Sequence, residues 1–185
     1  MPTPVPVIID TDIGNDVDDT WAIAMALNCP ELEVRYVLTA GPGLHTDRAK
    51  MVAKLLDAAE VSGVPIGKGC DEEPAKPGNA AFEGALPELA QSPWVADYDL
   101  GRYSGEVFDD GVGELIRIVM ASDEPLTLIA IGPLGNVGEA LSREPRIAQN
   151  LHFVGMHGAI YAGYRGQPVS IAASHGCTRR CCPNS

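Results

Sequence analysis

Between Val7 and Leu27 the chain reads VIIDTDIGNDVDDTWAIAMAL, which places five carboxylates within ten residues: Asp10, Asp12, Asp16, Asp18 and Asp19. They separate one apolar run from another. A helix start explains one or two of them, because the positive end of a helix stabilises a nearby carboxylate by ~0.3–1 kcal/mol. Five acids gathered at one strand end repel one another unless a cation sits among them. Hard divalent ions such as Ca²⁺ and Mg²⁺ are the ones that take all-oxygen ligands. The residue types and spacing therefore predict a divalent-metal site.

The elements around the acids must hold them at one place. VPVIID reads as a strand buried on both faces, continuous and β-branched without alternation. DDTWAIAMALNC, apolar nearly all round and stopped by Pro30, predicts a helix buried by its neighbours, with Trp21 and Met25 in the core. LEVRYVLTA is a second strand. HTDRAKMVAKLLDAAE is an amphipathic helix with Ala49, Val52, Ala53, Leu56 and Ala59 on its inner face, and VPIGKG is a short third strand. Residues 71–103 read as loops with short helical pieces. DDGVGELIRIVMAS is a helix, LTLIAI a strand, GPLGNVGEALSREP a turn opening a short helix, and LHFVGM a last strand. Strand and helix alternate throughout, so the fold class is α/β: a mostly parallel open sheet flanked by helices. In such sheets ligands bind beyond the carboxyl ends of the strands, where Asp10 and Asp12 stand.

Composition narrows the function. The chain has 185 residues, enough for one substantial core, and a net charge of −12 without a basic patch, which argues against a nucleic-acid partner. No stretch reaches membrane length and the N-terminus lacks a basic leader, so a cytoplasmic protein is expected. Five cysteines, three of them crowded at Cys177, Cys181 and Cys182, do not form a disulfide framework. A zinc cluster there lacks a second ligand pair at structural spacing.

Three metal-site patterns compete for the acidic stretch. An EF-hand loop fails, because Asn15 and Trp21 stand where it needs Gly and Glu. A haloacid-dehalogenase-like phosphatase fits the Asp-x-Asp spacing of Asp10 and Asp12 but not Gly14, and remains the weaker alternative. The third pattern fits best. VIIDTDIGNDVDDTWAIAMAL resembles the signature of the inosine-uridine preferring nucleoside hydrolases, Asp-Thr-Asp-x-Gly followed by Asp-Asp and an apolar helix. GVPIGKGCD, PLTLIAIGPLGNVGEALSREPRI and FVGMHGAIYAGYRG resemble three further family segments, in the family's order.

The resemblance implies a nucleoside-hydrolase-like domain over residues 1–172 that hydrolyses the N-glycosidic bond of a ribonucleoside with the help of Ca²⁺. It implies that Asp12 is the general base and also touches the metal, with Asp10 orienting it from behind. It further implies that Asp19 is a bidentate metal ligand, that Ile131 offers its backbone carbonyl to the metal, and that Asp18 meets the ribose hydroxyls. Two extra residues in the loop leave Asp16 as an alternative for the role of Asp18 or Asp19. After Ala172 the family pattern stops: the fold is expected to be incomplete at the C-terminus, and residues 173–185 an unrelated disordered tail. A catalytically inactive family member that binds only metal or a partner is therefore an alternative. An exposed apolar edge would favour a homo-oligomer.

Overall fold

In a computed structural model of the protein, which describes residues 3–41, 44–70 and 88–157, the first apolar run forms strand β1, Val5–Thr11. Val7, Ile8 and Ile9 are fully or almost fully buried, Ile8 facing one layer of helices and Ile9 the other. Strands β2 (Leu32–Thr39), β3 (Ile66–Lys68), β4 (Val107–Phe108), β5 (Leu126–Ala130) and β6 (Leu151–Gly155) complete one sheet in the order β4-β3-β2-β1-β5-β6. All five pairings are parallel, as the strand–helix alternation requires. β4 is two residues long and has no hydrophobic period, so the sequence gives it no signal.

Helices α1 (Asp18–Leu27) and α2 (His45–Ala58), with the short α3 (Ser92–Val95), cover one face. Helices α4 (Gly111–Ala121) and α5 (Gly135–Arg143) cover the other. Chain order runs outward from β1 through β2, β3 and β4 on one side and through β5 to β6 on the other. The crevice between β1 and β5 is thus the switch point of the sheet, the place where doubly wound folds bind their ligands.

Two expectations about side-chain burial need correction. Trp21 and Met25 are each 71% exposed, while Asp19, Ile23 and Ala26 face the sheet. Positions 17, 21 and 25 fall on one stripe of α1, and a single helical layer on a sheet buries only the opposite stripe. Ala59 lies just past the end of α2 and is exposed, although Ala49, Val52, Ala53 and Leu56 are buried as the periodicity predicts. At the far edge, β6 leaves Phe153 and Val154 about half exposed. No helix among the described residues is long and apolar enough to cross a membrane. The loop content expected for residues 71–87 and the tail expected for 173–185 lie outside the described residues.

Candidate functional site

The acidic stretch leaves β1 as a loop that only particular residues permit. Gly14 has φ +128°, and a Cβ there would stand 2.8 Å from Leu89 Cδ1. Gln91 backs the same loop: its N–H donates to Gly14 O at 3.0 Å, its side-chain amide donates to the Asp16 carbonyl, and its Oε1 accepts from Thr20 Oγ1. Arg48, on α2 and 3% exposed, donates through Nη1 to the carbonyls of Asp12 and Ile13. Burial lowers the pKa of this guanidinium, and the nearby Asp12 and Asp19 carboxylates offset part of that cost. Gly41, at φ +97°, leaves room for it: a Cβ there would meet Arg48 Nη2 at 3.1 Å.

The loop brings Asp16, Asp18 and Asp19 together, with one carboxylate oxygen from each lying within 4.8 Å of the others. Asp19 is buried and accepts a hydrogen bond from Thr11 Oγ1 at 2.5 Å. Burial, reinforced by the charges of Asp12, Asp18 and Asp16 and opposed by the Thr11 hydroxyl, pushes its pKa up to about 7. The exposed pair above it shares a hydrogen bond. That bond holds the Asp16 carboxyl above the usual carboxylate range and the Asp18 carboxyl below it. A cluster built only of hard oxygen donors, one from each carboxylate within 4.8 Å of the others, fits a divalent cation. Asp16, the alternative left open by the two extra loop residues, thus lies beside Asp18 and Asp19, to which the resemblance assigns the ribose and metal roles.

Asp12 is half-buried against the turn that follows β5, and its charge is felt at Asp16 and Asp19. A Cβ on Gly132 would come within 2.7 Å of Asp12 N and 3.2 Å of its Oδ1. Ile131, half-buried at the end of β5, donates its N–H to Asp10 O at 2.8 Å. Asp10 is fully buried, and its Oδ1 accepts from Asn136 Nδ2 at 2.8 Å. Asp10, Asp12 and Ile131 therefore flank the switch-point crevice, with the three clustered acids at its rim. Such an arrangement can hold a cation, take a proton from a water and stabilise positive charge on a bound molecule.

Four supporting residues escaped the sequence reading: Thr11, Arg48, Gln91 and Asn136. Thr11 and Asn136 lie inside the quoted family segments, DTD and GPLGN, which was the one signal available. Arg48 shows no pattern beyond falling on the buried face of an amphipathic helix. His157 stacks its ring on Phe153, with centroids 5.9 Å apart, in keeping with a packing role. His45 begins α2 and is half-buried. Trp94 packs in α3 beneath Lys54, whose ammonium lies 5.1 Å from the ring centroid.

The family described as inosine-uridine preferring nucleoside hydrolase matches residues 7–173. Among curated relatives, a non-specific ribonucleoside hydrolase RihC from Klebsiella pneumoniae is 29% identical over 148 residues, covering 80% of this chain and 46% of that protein. The solved structure of an inosine-uridine preferring nucleoside hydrolase from Bacillus anthracis superposes with a TM-score of 0.69 at 19% identity, over 89% of this chain and 54% of that one. A purine-preferring ribonucleoside hydrolase from Gardnerella vaginalis gives a TM-score of 0.64 at 25% identity, over 88% and 52%. The chain thus spans about half the length of the relatives it matches.

Proposed function

The chain belongs to the inosine-uridine preferring nucleoside hydrolase family, and from that premise we propose that it hydrolyses the N-glycosidic bond of ribonucleosides, releasing ribose and free base. The observation that carries this reading is the meeting of Asp16, Asp18 and Asp19 within 4.8 Å, beside Asp12 at the carboxyl end of β1, inside the stretch the family matches. The family match does not favour the phosphatase alternative.

In this reading Asp19, Asp12 and the Ile131 carbonyl would hold a divalent cation that we take to be Ca²⁺, with Asp16 and Asp18 beside Asp19 able to add oxygen donors. When bound, the cation neutralises the acids and makes a neighbouring water easier to deprotonate. Asp12 accepts the water's proton as the general base, and Arg48 fixes the backbone on which it stands. The electron pair of the broken bond leaves with the base, which takes a proton from solvent. The positive charge left on the ribose ring is stabilised by the carboxylates around the crevice more in the transition state than in the ground state. Asp18, ionised and exposed, is placed to accept from a ribose hydroxyl, with Asp16 the alternative.

The test is release of reducing sugar from inosine and uridine, with and without a calcium chelator, beside D12N. We expect release that chelation abolishes and that D12N lowers by about 10²–10⁴-fold. A folded chain that releases no ribose with Ca²⁺ present would instead support the inactive-member reading.

A further inference from the structure

We propose that Asn136 is a positioning residue of this site: its carboxamide holds the Asp10 carboxylate, and through β1 the Asp12 loop, in working register with the β5–α5 turn. The inference rests on the functional reading above. Asn136 is the second residue of α5 and 1% exposed. Its Nδ2 donates to Asp10 Oδ1 at 2.8 Å and to Thr39 O at 3.0 Å, and its Oδ1 accepts the N–H of Cys70 at 2.9 Å. One side chain thereby ties the end of β1, the end of β2 and the exit from β3.

Only a carboxamide satisfies that set. Its amino end must face a carboxylate and a carbonyl, and its oxygen must face an N–H. An aspartate would set like charge against Asp10, and a leucine would remove all three hydrogen bonds, two of them buried. The surroundings are shaped to the amide. A Cβ on Gly69 would stand 2.0 Å from Thr39 O and 2.4 Å from Asn136 Oδ1, so the exit from β3 can pass only as glycine. The same turn also grips the main chain of Asp10, because the N–H groups of Ile131 and Gly132 both donate to its carbonyl, at 2.8 and 3.2 Å. Asp10 is thus held at carbonyl and carboxylate from one connection, two residues before the proposed base. Titratable groups near Asp10 and Asn136 include Tyr36 on β2, Asp110 and Glu114 on α4, and Cys70 at the exit from β3.

The test uses the full chain, N136D, N136L and D10A, with folding checked by circular dichroism. N136D keeps the shape but can donate to Asp10 only while it carries a proton. At pH 7.5 its kcat for ribose release is expected to fall about 10–100-fold, with KM nearly unchanged. The loss should shrink as the pH falls, a recovery seen in neither the wild type nor N136L. Independently of turnover, the Asn136 side-chain amide protons in the wild type are expected to exchange with solvent at least ~10-fold more slowly than in D10A. Wild-type kcat in N136D or N136L, or an N136D profile parallel to that of the wild type, overturns the inference. If the wild type itself releases no ribose, the functional reading fails separately. Amide exchange that is equally fast with and without the Asp10 carboxylate then overturns the proposal for Asn136.

Discussion

Replacing Thr11 with valine keeps the branched shape of a fully buried residue and removes one oxygen. That oxygen donates to Asp19 Oδ1 and accepts from Ile13 N at 3.2 Å. A hydrogen bond to a charged group contributes ~1.5–3 kcal/mol, and a buried N–H left without an acceptor costs another ~1–3 kcal/mol. Partial relaxation of the loop offsets some of this, so T11V is expected to lose ~2–4 kcal/mol. For a chain of this size that is a fall in Tm of about 5–15 °C. T11S is the control, because it keeps the hydroxyl and loses only a methyl group, at ~0.5–1.5 kcal/mol. The pH dependence adds a second check. Burial raises the Asp19 pKa from 3.8 to about 7, so its contribution to stability is fully present below pH 4 and is lost as the pH rises through 7. Without the Thr11 donor the buried anion is worse off, and the gap between T11V and T11S should widen from pH 5 to pH 8. Thermal and guanidinium unfolding of both variants in metal-free buffer reads these quantities. A T11V protein as stable as T11S at pH 8, or a gap that ignores pH, would refute the argument.

Two further outcomes follow from the same geometry. On the proposed reading calcium displaces the proton from Asp19, so the association constant measured by calorimetry should rise about tenfold per pH unit between pH 5 and 7 and level off above; a flat profile would remove Asp19 from the ligand set. On α1, W21S should change stability by no more than ~0.5 kcal/mol, whereas I23A should cost ~2–5 kcal/mol. Chemical denaturation giving the two variants equal losses would return Trp21 to the core.

The α/β architecture was legible because its signals are strong and local: uninterrupted β-branched runs for β1 and β5, a 3.6-residue period for α2, and strict alternation of element types. The acids were legible as a group because their density after β1 has no bland explanation. What stayed hidden is relational. Trp21 and Ile23 are both large and apolar, and only the direction of the sheet separates them. Thr11, Arg48 and Asn136 look ordinary in the sequence, since their importance lies in partners up to 126 positions away. Composition cannot report which carbonyl a buried guanidinium meets. The meeting of Asp16 with Asp18 and Asp19 likewise depends on the turn at Gly14 and on Gln91, 75 residues from the Asp16 carbonyl it holds.

The bond between Asn136 and Asp10 also orders events in time. A ribosome adding ~5–20 residues per second delivers the carboxylate loop roughly 6–25 s before the side chain that clamps it. During that interval β1 can pair with β2 and β2 with β3, whereas the other edge of β1 must wait for β5. The nascent chain therefore carries its most acidic loop beside a vacant strand edge, and the acids take up their working register only when the second wing of the sheet docks. Synonymous codons or chaperones that change the pace between β3 and β5 should alter the yield of assembled sites while leaving every contact of the finished molecule the same.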